Sequence, residues 1–355
     1  MTTLDELRQS MLTPGTTNPF AASYIQLCNA SYKLHIDDIK AAVKAIPPLN
    51  PGGAWHCTWG PATNLDQANL AFVATYFYGP NLPVFAAVTV RGTDAEIKDG
   101  WGIIEQFWED LDVTSQRALP WAPNDPARVA QGTLDGLGKI QQLSFGGQSL
   151  LAYLTGFLGN PANNKPVLVI TGHSLGGCLT TVVAPWLKYA LAQSGISVPI
   201  VPCSFAAPTA GDAAFTAYYQ NNFSYSLRYH NSLDVAPLAW SNLSAADFIY
   251  DPYGVSVPDL VYLGIVGFEW AMSETGVSYA QPAPSSALAG QFAANLSWYD
   301  EAFLQHHATT YMSLLGVTSV TPSPLPRTPV KREPRTALRG RLGPVAALLA
   351  KMRQA

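Results

Sequence analysis

A serine flanked by glycine two residues away on either side, Gly172-His173-Ser174-Leu175-Gly176, follows the apolar run Val167-Leu168-Val169-Ile170 after a single threonine. That G-x-S-x-G spacing suits a nucleophile elbow, a turn so sharp that the positions around the serine must be small. Gly177 lets the next segment pack closely, and 178–192 reads as an apolar helix whose N-terminal N–H groups point back at the serine. The chemistry this implies is acyl transfer. A serine hydroxyl becomes a useful nucleophile when an imidazole removes its proton and a third group orients that imidazole.

The other members must come from elsewhere in the chain. Asp234, in Asn231-Ser232-Leu233-Asp234-Val235-Ala236-Pro237, follows an apolar strand downstream of the serine. It is placed where a carboxylate would complete the order Ser…Asp…His. Asp212 competes for that role but reads as a helix cap ahead of Phe215. Of the six histidines, only His306 and His307 lie far downstream, where a loop opens an amphipathic helix. His173 is inside the elbow and wrongly placed to turn back on Ser174, and His230 lies too close to Asp234 in the same strand. The base is therefore His306 or His307. Two N–H donors are needed for the oxyanion: one from Leu175, directly after the serine, and one from Thr93 in Arg91-Gly92-Thr93-Asp94, at the end of another strand. Gly92 allows close backbone approach there.

These residues need a sheet to hold them. Runs at 55–59, 71–78, 84–90, 197–207 and 225–230, with the elbow strand, supply its strands. Helical spacing covers 21–34, 36–46 and 128–158, the last as one crossover helix into the elbow strand. The aromatic segment 98–108 and the apolar insertion 259–272, within 258–290, are the two candidates for a lid; a packed core element is the plainer reading of each. Trp55 belongs to the core and His56 to an edge, Asp110 and Asp112 serve local structure, and 281–286 is a Pro/Ser-rich linker. The expected architecture is α/β, a mostly parallel sheet flanked by helices, in one domain over 1–320.

Composition limits the alternatives. Only 12% of the 355 residues are charged and 48% are hydrophobic, enough to bury a large core. Beyond position 321 eight Lys and Arg accompany one Glu, so the remainder is acidic and offers no footprint for nucleic acid. That Pro- and Arg-rich tail, 321–355, is expected to be disordered, with 342–352 able to form a short basic helix. Cys178 and Cys203 sit in apolar elements as free thiols, and only Cys28 and Cys57 remain as a possible pair. The N-terminus lacks the basic and apolar regions of a signal peptide, and no uninterrupted apolar run is long enough to span a membrane. A cytoplasmic location is the default expectation, with export by another route left open.

Taken together, Val90-Arg91-Gly92-Thr93, the elbow from Thr171 to Gly177, Phe205-Ala206-Ala207-Pro208-Thr209-Ala210-Gly211-Asp212 and 228–237 resemble the class 3 (fungal-type) triacylglycerol lipases of the α/β-hydrolase superfamily. The resemblance spans about 84–316. It implies Ser174 as nucleophile, Asp234 as acid, Thr93 and Leu175 as oxyanion donors, and a lid after Thr93. Either histidine stands at the family's distance from the aromatic Tyr311; the resemblance favours His306, and Ala-Pro-Thr-Ala departs from the family's usual arginine. The expected function is hydrolysis of water-insoluble acyl esters, acylglycerols at a lipid–water interface, with no metal or organic cofactor. A short-chain carboxylesterase, a phospholipase, and a non-catalytic binding or signalling module on the same fold are the rival readings.

Overall fold

The computed structural model describes residues 4–12, 20–64, 69–92 and 112–318. Thr93, Asp110, the aromatic segment 98–108 and the basic tail lie outside them. Among the described residues a seven-stranded sheet runs in chain order: β1 (Ala54–Thr63), β2 (Leu70–Tyr78), β3 (Leu82–Val90), β4 (Val167–His173), β5 (Ile200–Phe205), β6 (Leu227–Asn231) and β7 (Ser286–Leu288). The first three strands form an antiparallel meander, and every pair from β3 onward is parallel.

Helices cover both faces. α1 (Leu4–Leu12), α2 (Ala21–Ala30) and α3 (Ile36–Lys44) precede the sheet, and α4 (Gln131–Gln142) and α5 (Leu150–Gly159) lead into β4. α6 (Leu175–Gln193) and α7 (Ala213–Asn222) connect the next strands; α8 (Asp259–Thr275), α9 (Trp298–His306) and α10 (Ala308–Leu314) follow. Alternation along the central strands divides the core. Phe85, Ala87, Val167 and Val169 pack toward α2, α3 and α10. Ala86, Val88, Leu168 and Ile170 pack toward α4, α5 and α6. Each fully buried Val, Leu, Ile or Phe side chain here contributes about 1.5–3 kcal/mol. α6 is long and apolar enough to cross a membrane, but 72% of that stretch is buried inside this fold. It is the central helix of the layered core.

Several expectations change. Segment 128–158 is not one helix: α4 and α5 are separated by a small hairpin, Ser144–Phe145 against Gln148–Ser149. Gly146 and Gly147, at φ 59° and 77°, make its turn, a conformation other residues rarely adopt. The linker 281–286 runs into β7, whose three residues add an edge strand beside β6. Cys28 and Cys57 are unpaired; all four cysteines are free thiols, and Cys28 lies 3.4 Å from the Thr171 hydroxyl. Trp55 is fully buried and His56 exposed, as expected. Asp212 caps α7 by accepting the Phe215 N–H at 2.7 Å, and Asp112 accepts from Thr114 and Ser115.

Candidate active site

The elbow forms where β4 becomes α6. Ser174 sits between them at φ 62°, ψ −130°, a strained conformation costing about 1–3 kcal/mol that the surrounding packing must hold. Its N–H donates to Phe205 O at 3.0 Å, carrying the sheet's bonding one residue past the strand. Steric necessity explains the glycines. A Cβ on Gly172 would overlap Gly176 O, and one on Gly176 would overlap Val90 O. The register pairing Val90 with Gly172 brings the end of β3 alongside. A Cβ on Gly92 would stand 3.2 Å from Ser174 Cβ, so the residue before Thr93 lies close against Ser174.

Ser174, His306 and Asp234 come together from three elements, exposed by only 7, 6 and 2%. His306 Nε2 lies 2.9 Å from Ser174 Oγ, and its Nδ1 lies 3.0 and 3.1 Å from the two Asp234 oxygens. A carboxylate only accepts, so the ring proton belongs on Nδ1 and Nε2 is left to accept from the serine. Asp234 follows β6 and is held on other sides as well: Ala236 N–H donates to it at 2.9 Å and the Tyr311 hydroxyl at 2.7 Å. His306 is not in a loop, as its sequence neighbourhood suggested, but is the last residue of α9. His307 faces away, capping α10 with Nδ1 accepting the Thr309 N–H.

Leu175 opens α6, so its N–H belongs to the first turn, where no intrahelical carbonyl is available. An N–H there, at the positive end of the helix, suits an oxyanion. The side chains around this point are apolar: Leu175, Val235, Leu238 and Ala239 pack against a cluster built from Leu233, Trp240, Val261, Ile265 and Phe268. α8 buries this inner face while Tyr262, Leu263, Val266 and Trp270 remain exposed on its outer side. The insertion therefore both packs as a core element and carries an apolar outer surface. Among the described residues no group of three or more His, Cys, Asp or Glu is placed to hold a metal ion.

Sequence reasoning assigned no role to Tyr32 or Asn231. The Asn231 amide donates to Gln305 O and Oε1, and Gln305 donates to Glu301 Oε1 at 2.8 Å. This ties α9 to the turn that carries Asp234. Local spacing gave no cue to the Asn231–Gln305 bonds, which join residues 74 positions apart; the Asn231 N–H also donates to the Tyr311 hydroxyl.

Burial gives the molecule an acid-sensitive stability. His173 titrates well below the ordinary value of 6.5 because it is buried and, second, faces His306. Burial also lowers His307 and His230. Their unfolded forms bind protons more readily, so the stability they confer is complete above pH 6.5 and is lost as pH falls below it. Glu301 and Asp247, raised by burial, act in the opposite sense above pH 4.5 but are fewer. The unfolding midpoint should therefore drop as pH is lowered below 6.5. A flat or rising midpoint in scanning calorimetry would contradict the burial of these histidines in neutral form.

The described α/β-hydrolase architecture superposes on the crystal structure of M37 lipase with a TM-score of 0.69 and 26% identity, covering 87% of this chain and 93% of that one. A Rhizomucor miehei lipase in its propeptide complex is 22% identical, with a TM-score of 0.46 and 64% of each chain covered. A triacylglycerol lipase whose catalytic centre is a serine protease triad is 20% identical, with a TM-score of 0.45, covering 64% of this chain and 75% of that one. No curated protein matches the sequence. Residues 88–242, which hold the end of β3, the elbow and Asp234 but neither histidine candidate, match the model of the lipase (class 3) family.

Proposed function

We propose that the protein is a serine carboxylic-ester hydrolase acting through an acyl-enzyme, with triacylglycerols or other water-insoluble acyl esters as substrates. The observation that carries this reading is the unbroken hydrogen-bonded chain Ser174–His306–Asp234 at an elbow. The Ser174 hydroxyl gives its proton to His306 Nε2 as Oγ attacks the ester carbonyl carbon. The oxyanion takes the Leu175 N–H and the donor at Thr93, which the sequence puts directly after Gly92. Asp234 stabilises the imidazolium. His306 returns the proton to the departing alcohol, and water, deprotonated by the same nitrogen, then releases the carboxylic acid.

Substrate class rests on the apolar surroundings. The cluster beside Leu175 suits an acyl chain, and the outer face of α8, with Tyr262, Leu263, Val266 and Trp270 exposed, suits a lipid surface better than bulk water. The test is a p-nitrophenyl ester series together with fluorophosphonate labelling. Turnover rising toward long acyl chains, with the phosphonyl adduct on the Ser174 peptide, is the expected result. Activity confined to short chains would give a carboxylesterase instead, and no turnover with no adduct would give a binding module.

A further inference from the structure

The second histidine of the site has no part in the steps above, yet it is buried beside them. His173 ends β4, and its Nε2 lies 2.8 Å from the backbone oxygen of His306. A carbonyl only accepts, so that bond fixes the ring proton on Nε2 and leaves Nδ1 as an acceptor. The Tyr32 hydroxyl lies 3.0 Å from Nδ1 and 3.3 Å from the His173 backbone oxygen, and the shorter approach directs its single proton to Nδ1. Both partners of His173 are therefore determined, and neither is the nucleophile next to it in sequence.

The packing that brings them together is simple. Thr171 and His173 point to the same face of β4, about 6.6 Å apart along the strand. Cys28 and Tyr32 are one helical turn apart, about 6 Å, on and just beyond α2. The two spacings match, so Cys28 meets Thr171 while Tyr32 meets His173. Tyr32 also reaches the oxyanion strand: a Cβ on Gly92 would stand 2.6 Å from its hydroxyl.

We propose that His173, oriented by Tyr32, is a positioning residue for the base. This rests on His306 being that base. The carbonyl of His306 is among the last four of α9, which have no partner within the helix, and the imidazole above it is only as fixed as that helix end. The His173 N–H holds this end directly against the elbow, with ring centroids of the two histidines 4.9 Å apart. Nucleophile and base are thus registered through the backbone as well as through the Ser174–His306 hydrogen bond.

The experiment compares His173→Leu, His173→Gln and Tyr32→Phe, with rates normalised to Ser174 sites titrated by a fluorophosphonate. Displacement of a base by an ångström costs about 10²-fold. His173→Leu should lose on that order in kcat with KM little changed, and the labelling rate should fall in parallel. His173→Gln, whose side-chain amide can donate to the same carbonyl, should recover most of the loss. Tyr32→Phe should show a smaller drop of the same kind, and it carries the test should His173→Leu not fold. A purely structural role would lower the unfolding midpoint and leave kcat per titrated site unchanged. That result, or Gln performing no better than Leu, would overturn the proposal. Should His306→Ala keep full turnover, the base assignment itself would fall, a failure distinguishable from the first.

Discussion

Ser174→Ala and His306→Ala should each lower ester turnover by about 10⁶-fold, and the double variant should lose no more than either alone. In the proposed mechanism nucleophile and base act as one unit: without the imidazole the hydroxyl keeps its proton, and without the hydroxyl the imidazole has nothing to activate. What remains, about 10³–10⁴-fold over water, reflects oxyanion donors and substrate binding. The adjacent histidine provides the control. His307 Nδ1 accepts the N–H of Thr309 and lies 2.7 Å from its hydroxyl. His307→Ala should therefore cost about 1 kcal/mol of stability through a lost helix cap while sparing kcat. Steady-state kinetics on one chromogenic ester, beside thermal unfolding of each variant, makes the comparison. Equal losses for the two histidine variants would remove the distinction between them.

The elbow was readable because its constraints are local. A buried strand, a one-residue turn and a close-packed helix within about a dozen positions demand β-branched residues and then glycines, and nothing else satisfies the contacts of Gly172 and Gly176. Asp234 was readable from chain order and its place after a strand. The choice between His306 and His307 was not. It depends on how α9 is turned about its axis, because successive residues on a helix differ in direction by about 100°. Segment 128–158 carries a helical period throughout, and only the paired left-handed glycines reveal the hairpin inside it. β7 was hidden for the opposite reason: three residues in a Pro/Ser-rich stretch have too little pattern to mark a strand. The Tyr32–His173 contact joins residues 141 positions apart, and no local spacing announces it. The site was legible where one segment supplies both the residue and its constraint. It was illegible where two distant segments must meet.

Asp234→Asn should leave the fold intact and reduce kcat by about 10⁴-fold, well beyond the effect of Tyr311→Phe. Asp234 accepts from three directions at once: His306 Nδ1, the Ala236 N–H and the Tyr311 hydroxyl. An asparagine oxygen can keep part of this set, but its amide then meets Nδ1 as a donor. The imidazole must move its proton to Nε2, where it confronts Ser174 instead of accepting from it. Tyr311→Phe removes one donor to the carboxylate and strands the Asn231 N–H, yet leaves the ring in its productive tautomer. Its loss in kcat should therefore be smaller, with much of the penalty in stability, about 1–3 kcal/mol for an unsatisfied buried donor. Glu301 offers the contrast among carboxyls. It is fully buried, and its Oε1 accepts from Gln305 and the Ala293 N–H rather than from the base. Burial holds its titration above the usual glutamate value. Glu301→Gln keeps shape and polarity without the charge, so kcat should stay within a few-fold of wild type. A loss at Glu301 approaching that at Asp234 would mean that the charge opposing the imidazolium is shared along the Asn231–Gln305 network. An Asp234→Asn variant within tenfold of wild type would remove Asp234 from the triad.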